Sequence, residues 1–309
     1  MSWRKAALEL SMGPESLSGR EIGRRLGIPK STVHDFLRTQ PGYEPPVPVL
    51  PRILLADIET APSICHVWSR WKQNIYQPQV IHEGFIMTWA AKWLGTQGVM
   101  FDSCFHHEER YARDSRDDTA IVSSFHKLLE QADIVVFQNG DRFDIPWLNT
   151  RFIYHDLHRP APYKAVDTLK ILKKNFRLPS NGLDNALQYF GLEGKLENGG
   201  FKLWKECIEN HDSEQWKLMM DYNVQDITAL ENLYLFIRGW DYAHPNLALH
   251  FDDDVKRCGV CACTDLKKER KKHYTQASAF TVHRCQNCSA LYREASKDPR
   301  APTLRPVGK

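Results

Sequence analysis

The chain lacks any apolar run approaching the roughly 18 residues that a membrane-spanning helix needs. Its first residues, Met1-Ser2-Trp3-Arg4-Lys5, lead into a mixed amphipathic stretch in place of a hydrophobic signal core. Neither membrane contact nor secretion is indicated, and a cytoplasmic protein is expected. Cysteine is sparse, with eight in 309 residues, too few and too unevenly spread for a disulfide framework. Internal repeats and low-complexity tracts are also missing. What is present is ordinary: 42% hydrophobic and 26% charged residues, with a mean hydropathy of −0.49. That is enough apolar material for a real core and too much for a disordered chain. The length fits about two domains.

A net charge of +3 conceals segregation. Residues 1–52 hold 8 Lys/Arg and 5 Asp/Glu, residues 53–254 hold 20 and 29, and residues 255–309 hold 13 and 4. Two basic ends around an acidic middle suggest segments that meet a polyanion flanking one that holds cations or does chemistry. Cysteine splits the same way. Cys258, Cys261, Cys263, Cys285 and Cys288 fall in the basic tail, while Cys65, Cys104 and Cys207 are scattered singly. A reducing compartment and a metal site follow.

The clearest boundary lies in the stretch from Thr39 to Pro51, where five prolines in thirteen residues can neither continue a helix nor sit in a central strand. From Arg52 onward strands first pair and then alternate with helices. Ile53–Asp57 and Asp133–Phe137 read as short buried strands, and 84–94 and 99–105 as a strand pair. Helices are expected over 118–130, 144–156, 183–190 and 213–238. The pattern implies an α/β mixed sheet flanked by helices. The expected division is a small all-α domain at 1–40, a linker at 41–51, the α/β domain at 52–250, a cysteine-bearing domain at 251–296 and a tail at 297–309.

In the N-terminal segment Ser18-Gly-Arg-Glu21 has capping-box spacing, Ile22 and Leu26 form one apolar stripe, and Val33, Phe36 and Leu37 form the next. Two short helices separated by Gly27-Ile28-Pro29 resemble the helix-turn-helix domains of DNA-binding regulators and recombinases. That resemblance places Lys30, Ser31, Thr32, His34 and Arg38 toward the groove and Arg20, Arg24 and Arg25 near phosphates. A small helical packing module is the structural alternative.

Three stretches of the acidic middle carry candidate chemistry. Asp57-Ile58-Glu59 ends a buried strand, and alternation sends both carboxylates to one face, where they can share a cation. Gln138-Asn-Gly-Asp-Arg-Phe-Asp144 follows the next strand, so that Asp144 opens a helix over the strand ends. Tyr222-Asn-Val-Gln-Asp226 puts a phenol and a carboxylate on one helical face. Asp57, Glu59, Asp144 and Asp226 with Tyr222 together resemble the DEDD exonuclease superfamily, in the subclass with tyrosine in its third motif, over about residues 52–240. The stretch from Ser180 to Leu192 is similar to the helix before the third motif in stand-alone members.

The resemblance implies a ribonuclease H-like fold and a two-metal 3′–5′ exonuclease using Mg²⁺ or Mn²⁺. In that reading Asp57 bridges both ions, Glu59 and Asp226 complete one site, Asp144 supports the other, and Tyr222 orients the attacking water. Asp141 competes with Asp144, but the family acid directly follows an aromatic, here Phe143. Asp221 fails on helical phase. Asp167 fits a strand-end cap as well as a metal-adjacent role. A DNA-binding regulator with a non-catalytic nuclease fold, and a structure-specific endonuclease, are the competing functions.

Between Glu59 and the next strand, Trp68, Arg70, Trp71 and Lys72 interleave aromatic and basic side chains in a way that suits single-stranded nucleic acid. The spacing of Val67, Trp71 and Ile75 equally fits an amphipathic helix. In the tail, Cys258-Gly-Val-Cys261 and Cys285-Gln-Asn-Cys288 are two Cys-x2-Cys knuckles suited to one structural Zn²⁺ in a zinc ribbon. Paired-knuckle geometry favours Cys261 over Cys263. Lys267, Lys268, Arg270, Lys271 and Lys272 form a cationic lobe for phosphate contact or a solvated charge run. The expected partner is nucleic acid, with DNA preferred over RNA because a helix-turn-helix suits the B-form major groove.

Overall fold

The computed structural model describes residues 2–13, 17–41, 50–193, 200–251, 255–275 and 278–294. Most of the expected linker and all of the expected tail from 297 lie outside the described residues. The chain forms two compact units, one of Arg52–Asp241 and the other of Met1–Pro51 with Tyr242–Lys309. No described helix is long and apolar enough to cross a membrane.

Three helices open the chain: α1 (Trp3–Met12), α2 (Gly19–Leu26) and α3 (Lys30–Arg38). Their core is Ala7, Ile22, Val33 and Leu37, all fully buried, with Trp3 edge-on to Phe36 at 5.3 Å. Each large apolar side chain buried this way contributes about 1.5–3 kcal/mol. Ser18 caps α2 by accepting from the Glu21 amide, and Gly27 ends it in the left-handed region at φ 67°. The Glu21 carboxylate turns to Arg24 (2.6 Å) and Arg25 (3.2 Å), whose guanidinium groups hold it down to about 2.

One expectation fails in this segment. His34 is buried, not groove-facing. Its ring lies so close to Gly19 that a Cβ there would sit 2.5 Å from it, so the imidazole fills the contact between α2 and α3. Ser31, Thr32 and Arg38 are exposed, and Lys30 is half-buried.

The Arg52–Asp241 unit is built on β1 (Ile53–Thr60), whose residues 53–56 are buried. A strand whose first four residues are buried on both faces belongs in the interior of a sheet. A small pair, β2 (Ile64–Cys65) and β3 (Val80–His82), precedes β4 (Ile86–Trp93) and β5 (Met100–Ser103). After α4 (Glu108–Arg113) and α5 (Thr119–Leu129) come β6 (Ile134–Phe137), α6 (Asp144–Tyr154), β7 (Lys164–Asp167) and α7 (Thr168–Asn175). The unit closes with α8 (Leu183–Phe190), α9 (Phe201–Lys205) and α10 (Ser213–Ile237).

Strand order is β5-β4-β1-β6-β7. β4 runs antiparallel to β1, while β6 is parallel to it and β7 is parallel to β6. This is the mixed sheet flanked by helices that the sequence predicts. Ile58, Met87, Val135 and Phe137 pack with Phe125, Leu148 and Met219 in its core.

Residues 61–83 contain no helix of the kind that Val67, Trp71 and Ile75 permit. Those three side chains are exposed, with no partner face to bury a stripe, and β2 and β3 pair there instead.

A buried polar hub ties the sheet to α5 and α6. Asp118, fully buried, accepts from the Ile86 amide (2.9 Å), Arg151 Nε (2.7 Å), Arg151 Nη2 and His155 Nε2 (2.6 Å). In the C-terminal segment β8 (Leu266–Lys268), β11 (Val282–Cys285) and β12 (Leu291–Arg293) form a sheet in the order β12-β11-β8, and β9 (His273–Tyr274) pairs with β10 (Ala279–Phe280). The preceding residues pack with this segment, since Leu247 N donates to Gly259 O at 2.6 Å.

Replacing one member of a buried ion pair leaves the other uncompensated in low dielectric. Asp118→Ala should therefore cost about 3–5 kcal/mol, read as a lower urea midpoint for the Arg52–Asp241 unit.

Candidate functional site

β1 pairs with β6 only over Ile53–Leu55, so its last residues run past the end of β6 while still paired to β4. Asp57 and Glu59 occupy that overhang, half-buried and on one face of the strand. The chain leaving β6 turns at Asn139, in the left-handed region at φ 67°, and at Gly140. A Cβ on Gly140 would lie 2.3 Å from Phe137, so only glycine fits. Asp167, at the end of β7, accepts from the Asn139 amide (2.9 Å), the Asp141 amide (3.4 Å) and the Leu169 amide (2.9 Å). It thereby clamps the turn and caps α7, which is the capping reading of this residue.

The clamped turn delivers Asp144 to the start of α6. Its Oδ1 accepts from the Ile58 amide at 3.3 Å, between Asp57 and Glu59 in sequence. Burial pushes the Asp144 carboxyl up to about 7, and the charge of Asp167 adds to this. Asp141 instead pairs with Lys170, and Asp221 is exposed.

α10 supplies the rest. Asp212 caps it by accepting from the Glu214 and Gln215 amides. Tyr222, Asn223 and Asp226 are all buried, with Tyr222 edge-on to Trp204 at 5.9 Å. Carboxylate oxygens of Asp57, Glu59 and Asp226 lie within 4.8 Å of one another. Three acids drawn this close repel unless a cation sits between them, and an all-oxygen donor set suits Mg²⁺ or Mn²⁺ better than zinc. The residues present thus fit a divalent ion.

Asn223 is a member of the site that sequence reasoning missed. Its Nδ2 donates to Asp57 Oδ2 at 2.7 Å, and its Oδ1 accepts from Thr88 Oγ1 at 3.0 Å. The signal was present in Tyr222-Asn-Val-Gln-Asp226, where positions 223 and 226 share a helical face.

Beside the acids lies an apolar cleft of about 510 Å³, lined by Thr60, Ala61, Phe143, Trp147, Phe201 and Trp204 among others. Thr60 directly follows Glu59 and Phe143 directly precedes Asp144, so the cleft and the acids share two chain segments. The loop after β1 presents Trp68 and Trp71 at 95% and 83% exposure, with Arg70 and Lys72 exposed between and beside them.

In the C-terminal segment the sulfurs of Cys258, Cys261, Cys285 and Cys288 lie within 4.8 Å of one another. Cys258–Cys288 is 3.4 Å and Cys261–Cys285 is 3.5 Å, near the ~3.8 Å edge of a tetrahedron with Zn–S bonds of about 2.3 Å. Hydrogen bonds from Cys261 and Cys288 pull the Cys258 thiol down to about 3, and the bond to Cys258 pushes Cys288 up. The cluster is compatible with zinc. Cys263 is outside it and accepts from the Asp265 amide. Burial pushes Cys104 upward and Cys207 up to about 12, which makes them inert core thiols. Of the basic run, Lys267 and Lys268 belong to strand β8, while Arg270 and Lys271 are exposed and Lys272 is half-buried.

Residues 94–237 match the RNase_H_2 family of the RNase_H superfamily, and the five-strand mixed sheet flanked by helices is consistent with an RNase H-like fold. The matched stretch includes Asp144, Tyr222 and Asp226 and starts after Asp57 and Glu59. No curated protein matches the sequence. Among solved structures, the chain is similar to the family B DNA polymerase from the hyperthermophilic archaeon Pyrobaculum calidifontis, with a TM-score of 0.45 and 17% identity over 70% of this chain. The chain spans 28% of that polymerase's length.

Groups that orient metal ligands typically affect metal affinity or activity 10–100-fold. Asn223→Ala should weaken Mg²⁺ binding by about 10–100-fold, read by calorimetric titration of the purified protein. Metal analysis of the purified chain should find about one zinc, lost in Cys258→Ser and retained in Cys263→Ser, since only four thiolates complete a tetrahedron.

Proposed function

We propose that the protein is a metal-dependent 3′–5′ exonuclease acting on nucleic acid, with DNA preferred. The convergence of Asp57, Glu59 and Asp226 from β1 and α10 on one point of an RNase H-like domain carries this reading. Two bound divalent cations would supply a nucleophilic hydroxide, offset the negative charge on the phosphoryl oxygens in the transition state and support the departing 3′-oxygen. The chain's own residues set the stage for that chemistry. Asp57, held by Asn223, would be a ligand to both cations, Glu59 and Asp226 would complete the ligand set of one, and Asp144 would support the other. Tyr222 orients the attacking water with its phenol. The apolar cleft gives the terminal nucleoside a surface to stack on, with Phe143 and Phe201 exposed at its wall.

The N-terminal helices serve DNA contact in the same reading, with α3 as the recognition helix and Ser31, Thr32 and Arg38 on its open side. His34 has no part in it because it is buried. The cysteine cluster forms a zinc ribbon with one structural Zn²⁺, and a reducing cytoplasm keeps its thiolates intact.

The test is a time course on 5′-labelled single-stranded DNA, duplex and RNA with Mg²⁺ or Mn²⁺. A ladder shortening from the 3′ end is expected, abolished by EDTA and by Asp57→Ala or Asp226→Ala, with Tyr222→Phe impairing it less. Intact substrates under all conditions would overturn the enzyme reading, and cleavage of circular DNA would replace it with an endonuclease.

A further inference from the structure

The cross-strand register of the C-terminal sheet sets Lys267 of β8 opposite Arg284 of β11, and Arg284 opposite Leu291 of β12. Val282 and Arg293 form the next row of the same face. Like charges directly opposite one another destabilise a sheet, and the single Glu269 carboxylate, paired with Arg284, leaves the cations of this face in excess. The face opens on a groove of about 1050 Å³ lined by seven Lys/Arg side chains and one acid, Glu269.

Two of the guanidinium groups are held in place before any ligand arrives. Arg284 Nε donates to Glu269 Oε1 at 2.6 Å, and Arg293 lies over the Phe280 ring at 4.2 Å. The groove also has an aromatic wall, Tyr242, which is 72% exposed. The run from Lys267 to Lys272 begins in a strand of the sheet that carries the groove.

We propose that this groove binds single-stranded nucleic acid, with Lys267, Arg270, Lys271, Arg284 and Arg293 meeting successive phosphates and Tyr242 stacking on a base. Phosphate attraction explains the excess of cations, and a strongly exposed aromatic ring among them explains the choice of an unpaired strand, because paired bases offer no free face. An acidic protein would satisfy the charge but not the ring. The site stands apart from the exonuclease reading and needs no turnover.

The experiment uses the full chain carrying Asp57→Asn, free of Mg²⁺ and with its zinc, so that no probe is cut. Fluorescence anisotropy follows a labelled 20-mer of dT, the matching rU 20-mer and a 20-base-pair duplex across NaCl concentrations. Lys267→Glu with Lys271→Glu should weaken dT binding by about 10-fold or more and flatten its log K against log salt slope by about 1.4, two phosphates at ~0.7 each. Zinc content should be unchanged, which shows that the sheet has folded. Tyr242→Ala should weaken it by about 5-fold or more. An equal effect on rU supports the groove as indifferent to the sugar, and a difference identifies which sugar it takes. Unchanged dT affinity and slope in the double variant would overturn the proposal. So would an equal loss on the duplex, or displacement of dT by polyglutamate as readily as by unlabelled dT. Because only binding is read, failure here and failure of the nuclease test are separable.

Discussion

The Arg52–Asp241 unit is organised around an electrostatic problem, the crowding of carboxylates at the overhanging end of one strand. Asp57, Glu59 and Asp226 converge there, with Asp144 bonded to the Ile58 amide between the first two. Such an assembly opposes its own formation, because each acid raises the cost of ionising the next. The fold meets that cost with rigid scaffolding. β1 is pinned on both sides by β4 and β6, α10 is capped by Asp212, and the turn that presents Asp144 is clamped by Asp167. A divalent cation would turn the same repulsion into affinity.

The two candidate cation sites differ in donor type. The acids of the mixed sheet offer only oxygen, whereas the C-terminal cluster offers only sulfur, and hard and soft ions separate accordingly. The four other cysteines lie outside that cluster, Cys263 accepting from the Asp265 amide. Cys104 and Cys207 are buried with their thiols held protonated, and Cys65 lies in β2. Charge along the chain is segregated too, with acids in excess over residues 53–254 and lysines and arginines in excess on either side.

Much of this was legible in the sequence because it is encoded locally. An apolar run ending in Asp57-Ile58-Glu59 reads as a strand carrying two acids on one face, Asn139-Gly140 reads as a turn, and two Cys-x2-Cys pairs read as a tetrahedral site. The rest depends on partners far away in the chain. Nothing around Asp118 announces that Ile86, Arg151 and His155 will meet it. The burial of His34 depends on the missing side chain of Gly19, fifteen positions earlier. Apolar spacing at Val67, Trp71 and Ile75 permitted a helix, but no surface was available to cover the stripe. Asn223 was hidden in plain view, since its partner Asp57 is 166 residues away.

That last separation has a consequence for how the protein comes into being. Asp57 is made early, while the helix that supplies Asn223 and Asp226 is nearly the last element of its unit to be synthesised. Until α10 has cleared the ribosome and docked, the emerging polypeptide has two of its acids on a strand with no third to meet them. Long-range closures of this kind are also slow to form. The nascent chain therefore passes most of its synthesis beside messenger and ribosomal RNA before its three acids can come together, and the order of translation itself delays the site.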